Sequence, residues 1–565
     1  MAGRADDAVI RATPILWAVV LSVLLLGGAL GPGYTLSYDM VWVPDLALTR
    51  DVLGLGSALP RAVPSDAVVA VLDEVTGGAL LQKIVLLGTL VGAGTGFAAL
   101  VRERSTAAQL VAVTLGTWNP YVAERLVLGH WPLLIGYAVL PWLVVRLRAV
   151  EEGLPRSVLP LVVLGSLSAS SGLMTAVVAL AVAGRADARR RLLLLLCLVG
   201  ANAPWVAAGL TSPASTTTDT VGAVVFGTGD EGMSPGPVAA LSFGGIWNVE
   251  VVPESRLGLA GLLFTVLLVV VAVAGAVRVA RGVAVPRIGA LTFCWLLGWG
   301  TAVLSWAAPQ ALGWLGAHVP AGGLLRDGSR LLGMAVPLVV TLVAVAVDGL
   351  LDRFAERGLR AVVGVVIALV PVSLMPDVAW GMGGRLEAVD YPASYAEARG
   401  AVRDAPAGDA LSLPFVAYRA PAWNGGRRVL DPLPRFLART TVVNDVLVVS
   451  GRPVAGEDRR SADVARALAA GTAAERAEAL RAAGVSVVVA EQIDGYPSPE
   501  VAGETVAGGA LTVVELGAAV SAPPGVGRLT AMVAAWAAWW AVLLVALGTA
   551  VVHARRKRGR TDTLG

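Results

Sequence analysis

Apolar runs close to 20 residues long recur from one end of the sequence to the other, and no other feature limits the fold as tightly. At 1.5 Å of rise per residue, a helix of that length matches the roughly 30 Å hydrocarbon core of a bilayer. Inside that core a backbone N–H or C=O has no water to bond, so a spanning segment must satisfy itself as a helix. The runs at 14–30, 79–100, 106–118, 132–147, 192–210, 257–277, 288–308, 331–347, 361–376 and 528–552 read as spans. Charged residues make up only 15% of the 565, well short of the roughly 25% that a soluble surface needs. The net charge of +3 offers no basic patch, so a nucleic-acid partner is not expected. Cys197 and Cys294 both fall in apolar runs, which argues against a disulfide or a cysteine metal site. The first run resembles a secretory signal in length, but no small-residue cleavage site follows it cleanly, and it reads as an uncleaved anchor.

Arginine orients the spans. The connections "RERS" (102–105), "RLRAVEEGLPR" (146–156), "RVARGVAVPR" (278–287), "DRFAERGLR" (352–360) and the tail "HARRKRGR" (553–560) carry the positive charge that cytoplasmic loops retain. That rule predicts a multi-pass plasma-membrane protein with both termini cytoplasmic. Segments 31–78, 119–131, 211–256, 309–330 and 377–527 then face outward. One run resists simple alternation: 158–184 lies between two arginine clusters that both belong inside. It is expected to be a re-entrant hairpin turning at 168–172, with a single crossing that violates the charge rule as the alternative.

Composition changes at 377–527. "ALSLPF" (410–415), "TTVVNDVLVVSG" (440–451), "GVSVVVAE" (484–491) and "ALTVVEL" (510–516) read as strands, and 461–484 as one or two helices closed by Gly484. The expected organisation is a membrane domain (1–376), a small extracytoplasmic α/β domain (377–527), and a final span with its basic tail (528–565). No phosphate-cradling glycine loop or nucleophile elbow is visible.

Candidate chemistry gathers in the outward loops. "GPGYTLSYDMVWVPD" (31–45) places Asp39 and Asp45 among aromatics just past the first span. Solvated loop acids and interfacial aromatics account for the same residues, and Asp51, Asp66, Asp73 and Glu74 dilute the assignment. "WNPYVAERLVLGHWPLLIGYAVLPWL" (118–143) contributes Glu124, Arg125 and His130, and "GGLLRDGSRLLG" (322–333) contributes Arg326, Asp327 and Arg330. Glu124 and Arg125 line a site or form an exposed pair. His130 is a general acid, a ligand or a satisfied interfacial histidine. Arg326 and Arg330 share a face if helical, where they bind phosphate or snorkel, and Asp327 is placed to cap a helix.

An acidic first outer loop followed by a surface helix, together with those two stretches, resembles GT-C glycosyltransferases, in particular actinobacterial arabinofuranosyltransferase-like membrane proteins. The likeness covers roughly residues 14–376. It implies transfer of a sugar from a polyprenyl-phosphate donor to an envelope glycan or lipid acceptor on the outer face of the membrane. By position Asp39 is the best match to the family's catalytic acid, with Asp45 second. Asp39 and Asp45 do not form the compact Asp-X-Asp of many members, which leaves use of a divalent metal ion open. Such a reaction needs a carboxylate to take the acceptor's proton and fixed positive charge on the leaving phosphate, for which Arg125, Arg326 and Arg330 are candidates. Two other functions fit the same chain: a lipid-carrier flippase or transporter, favoured by the broken run 158–184, and a non-catalytic assembly subunit that retains the layout.

Overall fold

The computed structural model describes residues 2–148, 150, 155–214, 220–319, 322–449 and 451–561. Residues 151–154 of the arginine-bearing connector 146–156 lie outside that set, as do the side chains of the basic tail. Among the described residues seven helices are long and apolar enough to cross a membrane: Ala12–Leu30, Gly78–Leu100, Ala188–Thr211, Leu259–Ala280, Ile288–Ala307, Arg357–Leu374 and Val526–Gly548. An eighth crossing arises if Gly328–Met334 and Val336–Leu351, bent by 45°, act as one span. The protein is therefore a multi-pass membrane protein. Two of the ten runs read as spans form shorter helices, Thr106–Thr117 with 12 residues and Trp131–Leu147 with 17. At 1.5 Å per residue the first reaches about 18 Å, too short to cross.

Small residues set the close contacts between helices. Of the glycines at 88, 92 and 96, only Gly96 has a neighbour where a Cβ would stand, Trp142 at 2.7 Å. Gly94, midway between Gly92 and Gly96, seats Ala18 and Thr117. Residues 158–184 form two short helices, Val158–Gly165 and Ala169–Val182. They fold back on each other, with the Thr175 hydroxyl donating to the Gly165 carbonyl at 3.0 Å. The break falls at 166–168, slightly before the expected turn, because Ser168 caps the second helix through a reciprocal bond with Ser171.

The α/β region has a five-stranded sheet in the order Glu504–Ala507, Leu511–Glu515, Val485–Glu491, Asp409–Leu413 and Thr441–Val442. Its central pair is parallel and its outer hairpin antiparallel. The helices Arg459–Leu468 and Ala473–Ala482 precede Gly484, whose φ of +83° ends the second one.

This region packs directly on the first loop. Tyr34 and Thr35 pair with Val389 and Ala388 as a two-stranded sheet. Tyr38 donates its backbone N–H to the Arg428 carbonyl and accepts from the Leu430 N–H, both at 2.8 Å. Residues 37–40 thus extend the hairpin formed by Tyr418–Arg419 and Val429–Leu430.

Candidate active site

The site is built around the stretch 118–131. Asn119 caps the helix Pro120–Val127 by accepting from the Val122 N–H at 3.0 Å, and Pro120 occupies its first turn, where no N–H is needed. The carbonyls left open at the far end are taken by the first loop. Ser37 Oγ donates to the Val127 carbonyl at 2.6 Å, and the Asp39 N–H donates to Leu128 at 3.1 Å. Gly129 makes this docking feasible: its φ is +85°, and a Cβ would fall 2.1 Å from the Met40 nitrogen. Tyr38, also at positive φ (+45°), is held there by its two bonds to the hairpin.

Asp39 and His130 meet as a result, with Nε2 3.2 Å from Oδ2. His130 Nδ1 faces an Arg125 Nη1 at 3.4 Å. A guanidinium only donates, so Nδ1 accepts and Nε2 carries the proton towards Asp39. The other Asp39 oxygen accepts from the Tyr418 hydroxyl. Burial pushes the Asp39 carboxyl up, but the bonds from His130 and Tyr418 and the charge of Arg330 outweigh it and hold it at about 2. Burial and the nearby arginines lower His130, against the pull of Asp39. Asp39 is thus an ionised acid beside a neutral histidine, with 39% of its side chain still open.

Behind this pair lies a saturated ion network. Arg125 is buried and binds Asp327 through both terminal nitrogens, at 2.9 and 3.1 Å. It also donates to Ser329 Oγ. Asp327 receives Ser329 Oγ at 2.7 Å and Arg330 Nε at 3.0 Å. Burial raises Asp327, but Arg125 and Arg330 more than compensate and keep it well below the usual carboxylate range. Arg330 remains partly open, 31% exposed.

The structure separates the remaining candidates. Glu124 and Arg125 do not pair. Glu124 points to Glu231, itself bound to buried Arg256 at 2.7 Å, and burial followed by the charge of Glu231 raises the Glu124 carboxyl well above its usual range. Arg326 and Arg330 do not share a helical face, because 322–334 forms 3-10 turns around Asp327. Arg326 stacks over Phe226 at 4.7 Å and lies 3.6 Å from Glu457, which also takes Arg61 at 2.7 Å. Asp327 makes no capping bond to the backbone, since all its acceptor capacity goes to side chains. Asp45 forms an ion pair with Arg399 and shares no partner with Asp39. Lys83 reaches Thr35 Oγ1 at 3.4 Å, and Trp423 packs on Tyr391 and Tyr395 while donating to Glu491.

Sequence reasoning did not find Tyr418, Ser329, Arg61, Glu231 or Arg256. Ser329 lies inside a stretch already singled out, and Glu231 and Arg256 are rare charges in the segment 211–256. Nothing local marks Tyr418, 379 positions from its partner.

Among the described residues no three His, Cys, Asp or Glu side chains gather to hold a metal ion. Asp39 is met on its two oxygens by His130 and Tyr418 and Asp45 is engaged by Arg399, so the two acids do not form a chelating pair.

Apolar helices around the first loop, with an α/β region pressed onto that loop, define the architecture of a multi-pass membrane protein with an appended α/β region. Among solved structures of similar fold is mycobacterial arabinofuranosyltransferase AftD, with a TM-score of 0.56 and 18% identity over 90% of this chain. Two structures of a point variant of that enzyme match at TM-scores of 0.55 and 0.52, with 17% and 18% identity over the same share. The chain spans about 40% of the length of that enzyme. No protein-family model and no curated protein matches the sequence. The resemblance drawn from the sequence therefore holds at the level of fold.

Proposed function

We propose that this protein is a GT-C-type glycosyltransferase of the cell envelope, moving a sugar from a polyprenyl-phosphate carrier to a glycan or lipid acceptor outside the membrane. The observation that carries this reading is an ionised, half-open Asp39 beside the exposed edge of Arg330.

The acceptor oxygen bonds to the anomeric carbon while that carbon's bond to the phosphate oxygen breaks. The transition state has oxocarbenium character, and the acceptor hydroxyl becomes strongly acidic as its oxygen bonds. A carboxylate held at about 2 is a weak base, yet it suffices for a proton released that late. Arg330 faces the opposite need, the negative charge growing on the leaving phosphate, and Arg326 adds a second cation farther along the rim. Burial and Arg61 bring Arg326 down only to about 10, so it stays charged at neutral pH. Arg125 and Asp327 serve as the frame that aims His130 and Arg330.

Outward orientation rests on the arginine-bearing connectors and supports this chemistry, since the acceptor lies outside. The test is turnover in nanodiscs with a polyprenyl-phosphate pentose and glycan acceptors, wild type against Asp39→Asn and Asp45→Asn. Loss confined to Asp39→Asn supports the proposal. Bound lipid without turnover in the wild type points to an assembly subunit. Lipid movement across liposomes that survives both substitutions points to a flippase, the reading the folded-back hairpin 158–184 favours.

A further inference from the structure

The α/β region meets Asp39 through the Tyr418 side chain, which has no assigned role. Tyr418 and Arg419 are neighbours on one short strand, so they face opposite ways. Arg419 points inward, where it is fully buried against Asp431 at 2.7 Å and Glu491 at 3.0 Å and donates to Ser412. Tyr418 points outward to Asp39, and its ring stands 6.3 Å from that of Tyr38. The partner strand holds Tyr38 by two backbone bonds. The strand is therefore nailed down on one face and presents a hydroxyl on the other, while its neighbour fixes the loop that carries the acid.

We infer that Tyr418 is a positioning residue. Its hydroxyl fixes one Asp39 oxygen, His130 fixes the other, and the lone pairs that remain are aimed at the acceptor. The α/β region thereby completes the site. Asp39 keeps its tilt only while that region is docked, because the backbone ladder and the hydroxyl come from the same hairpin. Burial and the nearness of Asp39 raise the Tyr418 hydroxyl well above its usual range, so it donates at all working pH values.

The role of Tyr418 in turnover rests on the transferase reading, so the test includes a readout independent of it. The sequence contains three histidines, His130, His318 and His553. Selective nitrogen-15 histidine labelling of the full chain in nanodiscs thus gives three ring titrations, with His130 assigned by its loss in His130→Gln. Tyr418→Phe keeps the ring and removes the hydroxyl. An unshifted melting temperature checks that the fold is intact. With one donor gone, Asp39 is less compensated and holds a protonated His130 more strongly. The His130 midpoint should rise by about one pH unit, the size of a lost bond to a charged group. Turnover should fall about 10- to 100-fold with the donor KM unchanged. A midpoint that does not move overturns the inference, even if turnover falls, because the hydroxyl then acts elsewhere. A midpoint that moves in a wild type and variant that transfer no sugar supports the positioning contact and removes the transferase reading instead.

Discussion

Two buried arginines organise two networks in this molecule, and they end differently. Arg419 in the α/β region is enclosed by Asp431, Glu491, Ser412 and the Pro414 carbonyl. Glu491 spends its other oxygen on Tyr395 and Trp423, so the cluster closes on itself. Arg125 begins in the same way, bound to Asp327 and Ser329, but its chain continues through His130 and Arg330 to groups that are partly open. Burial of an ion pair marks neither network as functional, because desolvation offsets much of what the pair gains. What separates them is the open end: one cluster is a rivet, the other a rivet with a working edge.

Substitutions in the two networks should separate activity from stability. Asp39→Asn, at the open edge, should lower turnover by about 10²- to 10⁴-fold, the range for a lost proton acceptor. Its melting temperature should stay near that of the wild type, and a large drop in both would erase the distinction drawn here. Arg419→Met should do the reverse in kind. It leaves Asp431 and Glu491 buried without a counter-charge and should cost about 3–5 kcal/mol, read by chemical denaturation. Arg125→Met should fall somewhat below that because Asp327 keeps Arg330, and it should also reduce turnover.

Gly129→Ala sharpens the comparison at the junction of helix and loop. The added Cβ overlaps the Met40 backbone at a positive φ, and a destabilisation of about 1–3 kcal/mol is expected. Turnover should fall further than that loss of folded protein explains, since the overlap pushes Asp39 off His130. An alanine variant with full turnover would show that this docking is not needed.

The smallest effect concerns pH. His130 sits below its unfolded value of about 6.5, so the unfolded chain binds its proton first as pH falls. Stability contributed by neutral His130 is present above about pH 6.5 and declines below it. Melting temperatures of wild type and His130→Gln should differ in slope between pH 5 and 7, with the wild type the steeper of the two. Parallel curves would show that the ring is not held neutral. Asp39 has the same sense in a more acidic window. Its lowered value means that its contribution persists down to about pH 4 and fades only towards 2.

Much of this was legible in the chain itself. Run length disclosed the membrane helices, since a bilayer imposes one dimension on every span. Asn119, Pro120 and Gly129 punctuate a helix by local rules, and the strand cores near 411, 487 and 513 follow from β-branched runs. Length misled at 106–118, where apolar composition outlasts the 12-residue helix. Asp39, Arg125, His130, Asp327 and Arg330 all belong to stretches singled out by their residues, and they do come together. Arg326 and Asp45 turn elsewhere because Glu457 and Arg399, each in the α/β region, take them.

The sequence by itself determined what is periodic or local: which stretches are apolar, where helices start and stop, and which loops carry acids and arginines. Tertiary structure alone decided which of those charges are spent on each other. Arg125 finds Asp327 across 202 positions and Asp39 finds Tyr418 across 379. A pairing at such separation leaves no periodic trace, and its geometry depends on how helices, loop and α/β region settle together.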